Sequence, residues 1–326
     1  MNVRITHLDG KLPNLALMRL SAWHKKQNHC VFFSKSATKD LFEPDYDIVY
    51  GSTIFHFSQK KVDVFKKNFP KAIVGGTGEA ISSNLSQVGV PDSFNELDYD
   101  IYPEFKNSIG FTQRGCRLKC KFCVVPEKEG KNYSVNSVYD IYRGEPYPKN
   151  LHLLDNDFFG NELWQQRAKE IIEGGFKVCF NQGINVRLIH EEGAMELAKM
   201  KYYDDSFSSR RVYTAWDNLK DEKIFFKGVN LLNQAGIPGK HIMAYMLIGY
   251  RIEETIEEIL YRIEKMKEKN ILPYPMVYTK PNEKPKKHLK EIQRWVIRKY
   301  YQFIPFSEYI VSPKSQDKNS LEIDLV

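Results

Sequence analysis

At 326 residues and 42% hydrophobic content, the chain has room for one large domain or two ordinary ones. No apolar run is long enough to span a membrane, and residues Met1 to Gly10 lack the apolar stretch of a signal peptide, so no membrane partner is expected. The net charge of +7 is mild for this length; five cysteines, an odd number with three clustered, argue against a secreted disulfide scaffold and for a reducing cytoplasm.

Residues 1–90 read as a small α/β unit. Val3 to His7 is strand-like. Pro13 to Lys26 places Leu15, Leu17, Met18, Leu20 and Trp23 near helical spacing, with Pro13 at a helix start. Strands follow at Cys30 to Phe33, Asp47 to Gly51 and Lys71 to Gly76, with a helical run from Val62 to Phe69 before the last. This alternation predicts an open parallel sheet, whose ligands bind off the carboxyl ends of the strands. Gly75-Gly76-Thr77-Gly78 lies at such an end, and a tight turn explains it equally well. Cys30 and Cys179 each sit in an apolar strand-like run, where a free cysteine is a small core hydrophobe. Residues 91–107 are polar, acidic and bracketed by prolines, the composition of an interdomain linker.

From residue 108 to 280 the alternation restarts. Strands are expected at Ile109 to Thr112, Leu151 to Leu154, Phe176 to Phe180, Arg211 to Ala215, His241 to Ile248 and Met276 to Tyr278. Helices are expected at Val135 to Tyr142, Glu162 to Glu173, Glu192 to Lys201, Asp221 to Ala235 and Glu253 to Lys269. Six βα repeats fit an incomplete barrel, with functional groups at the carboxyl ends of the strands. Residues 281–326 form a basic, aromatic extension, with a helix from Lys286 carrying Leu289, Ile292, Trp295, Val296 and Tyr300 on one side. Lys280, Lys284, Lys286, Lys287, Lys290, Arg294, Arg298 and Lys299 gather there. Such a patch fits a nucleic-acid backbone; the other reading is a solvated helix face.

The stretch from Gly110 to Pro126 contains Cys116, Cys120 and Cys123 in the pattern C-x3-C-x2-C. Three thiolates this close can hold three irons of a [4Fe-4S] cluster and leave the fourth open to another ligand. Structural zinc would want a fourth Cys or His; the nearest downstream histidine is His152, in an apolar strand.

This spacing, with Phe122 before the last cysteine, resembles the signature of the radical S-adenosylmethionine (SAM) superfamily. The resemblance implies a partial (β/α)6 TIM-like barrel whose open iron takes the amino and carboxylate groups of SAM. It implies an electron from a flavodoxin- or ferredoxin-like donor, cleavage of the sulfonium, and hydrogen abstraction by a 5'-deoxyadenosyl radical. It implies contact of Asp155 or Asp157 with the methionyl ammonium, where the family often has Gly-Gly-Glu; a helix N-cap is the alternative there. Asn181 and Gln182 end the third strand, and Arg187 beyond them fits the SAM carboxylate, a substrate anion or a structural ion pair. Asp217 fits ribose hydroxyls or substrate, and Gly249 and Phe122 the adenine.

Residues 1–90 resemble the Rossmann-like cobalamin (B12)-binding domain that precedes many radical SAM domains. Pro13 to Ala16, Tyr50 to Ser52 and Gly75-Gly76 follow the first, third and fourth strands in that order. The D-x-H-x-x-G loop is missing; Asp9-Gly10-Lys11-Leu12 stands there. The resemblance leaves two roles for this unit, binding cobalamin or serving as a degenerate domain that packs or binds substrate. The function implied is SAM-dependent radical chemistry, such as methylation or rearrangement, on an unidentified substrate. Two alternatives stand beside it. One is a nucleic-acid-binding protein with a structural metal. The other is an RNA methylthiotransferase-like enzyme, which would carry a second cysteine trio where this chain has only Cys30.

Overall fold

A computed structural model describes residues 1–280 and 283–309. The chain divides into two compact units, one from Met1 to Lys106 and one beginning at Asn107. Among the described residues no helix is long and apolar enough to cross a membrane.

The first unit is a four-stranded parallel sheet. Its elements are β1 (Asn2–His7), α1 (Leu15–Lys26), β2 (Cys30–Ser34), β3 (Ile48–Ser52), α2 (Gln59–Asn68) and β4 (Ile73–Gly75). The strand order is β2-β1-β3-β4. β1 is central, and its residues alternate between two covered faces. Val3 and Ile5 meet Leu17, Met18 and Leu20 of α1, while Leu8 just beyond the strand meets Val62 and Phe65 of α2. Asn14 caps α1 by accepting the Leu17 amide at 3.2 Å. Two expectations are corrected here. Cys30 is exposed, because β2 is an edge strand and Cys30 opens it. The stretch 91–107 is no free tether, since Phe94, Ile101 and Tyr102 are buried in this unit's core.

The second unit alternates strands and helices. In chain order they are β5 (Ser108–Gly110), β6 (Gln113–Arg114), α3 (Val125–Lys128), β7 (Tyr133–Ser134), α4 (Val138–Ile141), β8 (Asn150–Leu153), α5 (Trp164–Glu173) and β9 (Lys177–Phe180). Then come α6 (Glu191–Lys199), β10 (Lys201–Tyr202), β11 (Val212–Ala215), α7 (Glu222–Gln234), β12 (Ile242–Ile248), α8 (Ile256–Glu268), β13 (Leu272–Val277) and α9 (Lys287–Ile297). The strands form two parallel sheets, β10-β9-β8-β5 and β11-β12-β13, plus the small antiparallel pair β6-β7. The short β10, unforeseen in the sequence, occupies the edge of β9 in the register Lys201↔Lys177, which interrupts the ladder between β9 and β11. The turn after β9 still reaches β11, as the Ile184 amide donates to the Tyr213 carbonyl at 2.8 Å. β12 shows how the layers sit: Ile242, Ala244, Met246 and Ile248 are buried in the main core with the helices, while Met243, Tyr245 and Leu247 on the other face are half-buried.

β13 starts earlier than expected and includes Pro273 and Pro275. Proline lacks the ladder N–H and is confined to edge strands. β13 is such a strand, paired only to β12 in its sheet. The Pro275 carbonyl instead accepts from Gln293 of α9 at 2.8 Å. Trp295 of α9 is buried in the second unit's core, where its ring meets Tyr301 and Phe306 and its indole N–H donates to the Ile304 carbonyl at 2.9 Å.

Candidate functional site

The three clustered cysteines lie on a loop closed at its base by the β6-β7 pair. Gly115 enters the loop at φ +77, and a Cβ there would fall 2.2 Å from the Lys131 carbonyl oxygen, so this turn requires glycine. The Cys116 amide donates to the Gly130 carbonyl at 3.2 Å, and the Cys123 amide to the Cys120 carbonyl at 3.0 Å. Glu129 staples the same base. Its carboxylate accepts from the Gly115 amide at 2.9 Å, from Arg114 at 2.5 Å and from Asn156 at 2.8 Å.

Beyond β8, two buried aspartates hold the loop from below. Asp157 forms a two-pronged ion pair with Arg117, the residue after Cys116: Nε donates at 2.7 Å and Nη2 at 3.0 Å. It also accepts the Arg117 amide at 3.2 Å and Asn132 Nδ2 at 3.2 Å. Gly160 makes room for this clamp, since a Cβ there would stand 2.2 Å from Asp157 Oδ2 and 2.4 Å from Arg117 Nε. Asp155 turns the other way. It accepts the Thr112 amide at 2.7 Å, the Gln113 amide at 3.2 Å and the Thr112 hydroxyl. Burial is the largest influence on Asp155 and raises its pKa to about 7 against those three hydrogen bonds. Both carboxylates are thus occupied as loop supports rather than open toward a ligand cation.

The thiols act on one another. Burial pushes Cys116 up to about 11; Leu118 N–H, donating to its sulfur at 3.4 Å, opposes that, while Asp157, Cys123 and Cys120 add to it. Burial also raises Cys123, with Cys120, Glu129 and Asp217 adding to the shift. The carboxyl end of β11, which carries Asp217, therefore approaches the cysteine loop. Phe122 is half-exposed and meets Tyr250 edge-on at 5.4 Å, and Tyr250 follows Gly249 at the end of β12. Among the described residues no set of three or more Cys, His, Asp or Glu is already gathered around a metal position. The donor set nonetheless fits an iron–sulfur cluster: three cysteines on one anchored loop, close enough to perturb each other, with sulfur ligands of the type such clusters use.

The remaining expected residues divide. Asp217 accepts the Leu247 amide at 2.8 Å and is raised chiefly by burial. Gly249 has φ +80, and its amide donates to Glu254 at 2.7 Å. Arg187 is committed to an ion pair with Asp221 at 2.9 Å. Asn181 is buried against His152, with Oδ1 3.2 Å from Nδ1, while Gln182 is exposed. His152 also has Nε2 3.5 Å from Asn107 and meets Phe207 edge-on at 4.9 Å, so both ring nitrogens already have protein partners. Cys179 is buried, as its apolar surroundings imply. In the first unit, Asp9 of the loop where cobalamin domains place a histidine gives its carboxylate to Thr53 and to the Ile54 and Phe55 amides. That donor set does not fit a cobalt ligand. Arg117, Glu129, Asn132 and Tyr250 were not singled out from the sequence; the one available signal was the run of charges in and around the cysteine motif, whose partners lie 14 to 40 positions away.

The chain is 24% identical over 260 residues to tRNA-2-methylthio-N(6)-dimethylallyladenosine synthase of Sulfurihydrogenibium sp. (strain YO3AOP1), a match covering 73% of this chain and 56% of the relative. The chain thus spans a little over half the length of the curated relative it matches. No protein-family model and no solved structure matches it.

Proposed function

We propose that this chain is a radical SAM enzyme that modifies RNA. Cys116, Cys120 and Cys123 would hold a [4Fe-4S] cluster with one open iron, and the two sheets of the second unit would serve as arcs of an incomplete barrel around it. When bound, the cluster supplies the electron that cleaves SAM, delivered by a low-potential flavodoxin- or ferredoxin-like donor. The chain's own residues do the positioning. The Arg117–Asp157 clamp and Glu129 set the loop's path, Asp155 fixes the corner that leads into it, and Phe122 with Tyr250 forms an apolar wall toward the end of β12. The observation that carries this reading is the cysteine loop pinned at both ends by buried or half-buried charge.

The tRNA substrate named for the distant relative supports RNA as the substrate class. Sulfur insertion that draws on a second cysteine-held cluster is less well supported, because Cys30 is the only cysteine in the first unit. Cobalamin is assigned no step. The test is SAM turnover by reconstituted protein with and without bulk tRNA from which such modifications are missing. The proposal expects modified nucleosides in the RNA digest, absent from a Cys120→Ala control. SAM cleavage that leaves the RNA unmodified, together with modification of some other substrate class, would overturn the RNA assignment.

A further inference from the structure

The first unit holds a cluster of buried polar groups that the cysteine site does not use. In the parallel register of β1 and β3, His7 stands beside Ser52, so the two side chains project from one face at the carboxyl ends of neighbouring strands. The chain leaves β1 for α1 on one face and β3 for α2 on the other. Such a divergence is a topological switch point, where open parallel sheets take ligands.

Hydrogen bonds fix where the protons lie. The Asn14 amide donates to the Tyr102 hydroxyl oxygen at 3.2 Å, and that oxygen lies 3.1 Å from His7 Nδ1. Among the described residues Nδ1 is the acceptor in reach of the tyrosine hydrogen, which places the proton of neutral His7 on Nε2. Burial, the largest influence, lowers His7 to about 4; Lys35 pushes the same way and the charge and backbone of Asp9 oppose it, so the ring is neutral at physiological pH. His7 is 2% exposed, and among the described residues Nε2 meets no partner within hydrogen-bond geometry. Ser52 Oγ accepts from Asn14 Nδ2 at 2.9 Å, and among the described residues its own hydrogen finds no acceptor. Asn14 is also the N-cap of the 12-residue α1, whose first amides have no partner inside the helix and sit at its positive end. Lys35 lies with its ammonium 5.9 Å from the Tyr102 ring, and Lys61 also acts on His7. The nearby carboxylate, Asp9, is turned to Thr53, Ile54 and Phe55, from which it accepts three hydrogen bonds. Among the described residues, the groups left open by His7 and Ser52 are both donors.

We propose that the carboxyl edge between β1 and β3 binds a phosphate group, free or on a small ester, through His7 Nε2–H, the Ser52 hydroxyl and the first amides of α1, with Lys35 and Lys61 alongside. Gly10 borders the site: it has φ +90, and a Cβ there would lie 3.4 Å from both His7 Nε2 and Ile54 Cδ1. Helix amino ends bind phosphate by this combination of free N–H groups and dipole.

The experiment titrates the full chain with inorganic phosphate, with adenosine 5'-monophosphate, and with adenosine as the unphosphorylated control. Calorimetry reads affinity and imidazole-nitrogen NMR reads the His7 ring. The proposal expects both phosphorylated probes to saturate and to shift Nε2–H, and adenosine to do neither. Ser52→Ala should weaken phosphate about tenfold or more, the loss expected for one hydrogen bond to a charged group. Tighter binding of the monophosphate assigns the site to an ester; equal binding assigns it to the free anion. Absence of a His7 shift at saturating phosphate, or affinity unchanged in folded Ser52→Ala, overturns the site. The NMR arm uses the unsubstituted protein, so the proposal stays open to refutation if Ser52→Ala fails to fold.

Discussion

Arg117 shows how much of the site turns on single side chains. It follows Cys116 directly, and its partner Asp157 is wholly buried. Removing the guanidinium strands that carboxylate without its counter-charge. Arg117→Ala should therefore cost about 2 kcal/mol in urea unfolding, less than a fully buried pair loses because Arg117 itself is partly exposed. Asp157→Asn keeps the shape and weakens the clamp, so it should lower iron uptake more than stability; equal iron per chain in variant and wild type would contradict this. The thiols make a second prediction. Cys116 lies at about 11 without metal, chiefly through burial, so its proton must leave when iron binds. Iron uptake during reconstitution should rise from about pH 7 to about pH 9 as the thiolate fraction grows. The cysteines stood out in the sequence by their spacing. Arg117, Glu129 and Asn132 were not, because a charge's partner is a tertiary fact that local pattern does not encode.

At the scale of elements, hydrophobic periodicity located most strands and helices within a few residues, since buried faces repeat with fixed period. It failed where other physics ruled. The expected helix from Val135 to Tyr142 shrank to Val138–Ile141, begun by a Ser137–Asp140 capping box and followed by an extended Tyr142. The two-residue β10 is too short to show a period, and β13 runs through prolines that only an edge strand tolerates. Two variants probe the connections between elements. Gly160→Ala places a methyl group against Asn132, Asp157 and Arg117, and iron uptake should fall as it does in Asp157→Asn while the helices melt normally. Asp155 tests the corner after β5. Its folded pKa of about 7 lies above the ordinary 3.8, so the folded state keeps this proton longer than the unfolded chain. That contribution is complete below the unfolded pKa and is lost as pH rises through about 7. Urea unfolding across this range should show stability falling more steeply in wild type than in Asp155→Asn; parallel profiles would contradict the assignment.

For the whole molecule, the alternation in the sequence conveyed an α/β chain with parallel strands. It also placed polar residues at strand ends. Of those, Asp217 acts on Cys123 of the cysteine loop, whereas Asp155, Asp157 and Arg187 are engaged in hydrogen bonds or ion pairs within the framework. The division has a physical basis: a strand end is a good place for both a ligand contact and a loop anchor, and only the partners distinguish them. The central claim is that the pinned loop carries a cluster that activates SAM. Anaerobic reconstitution with iron and sulfide, followed by SAM and a strong reductant, tests it through the yield of 5'-deoxyadenosine. The account predicts about four irons and four sulfides per chain, with 5'-deoxyadenosine formed by wild type and lost in Cys120→Ala. A single zinc held after the same treatment, with no SAM cleavage, would contradict it.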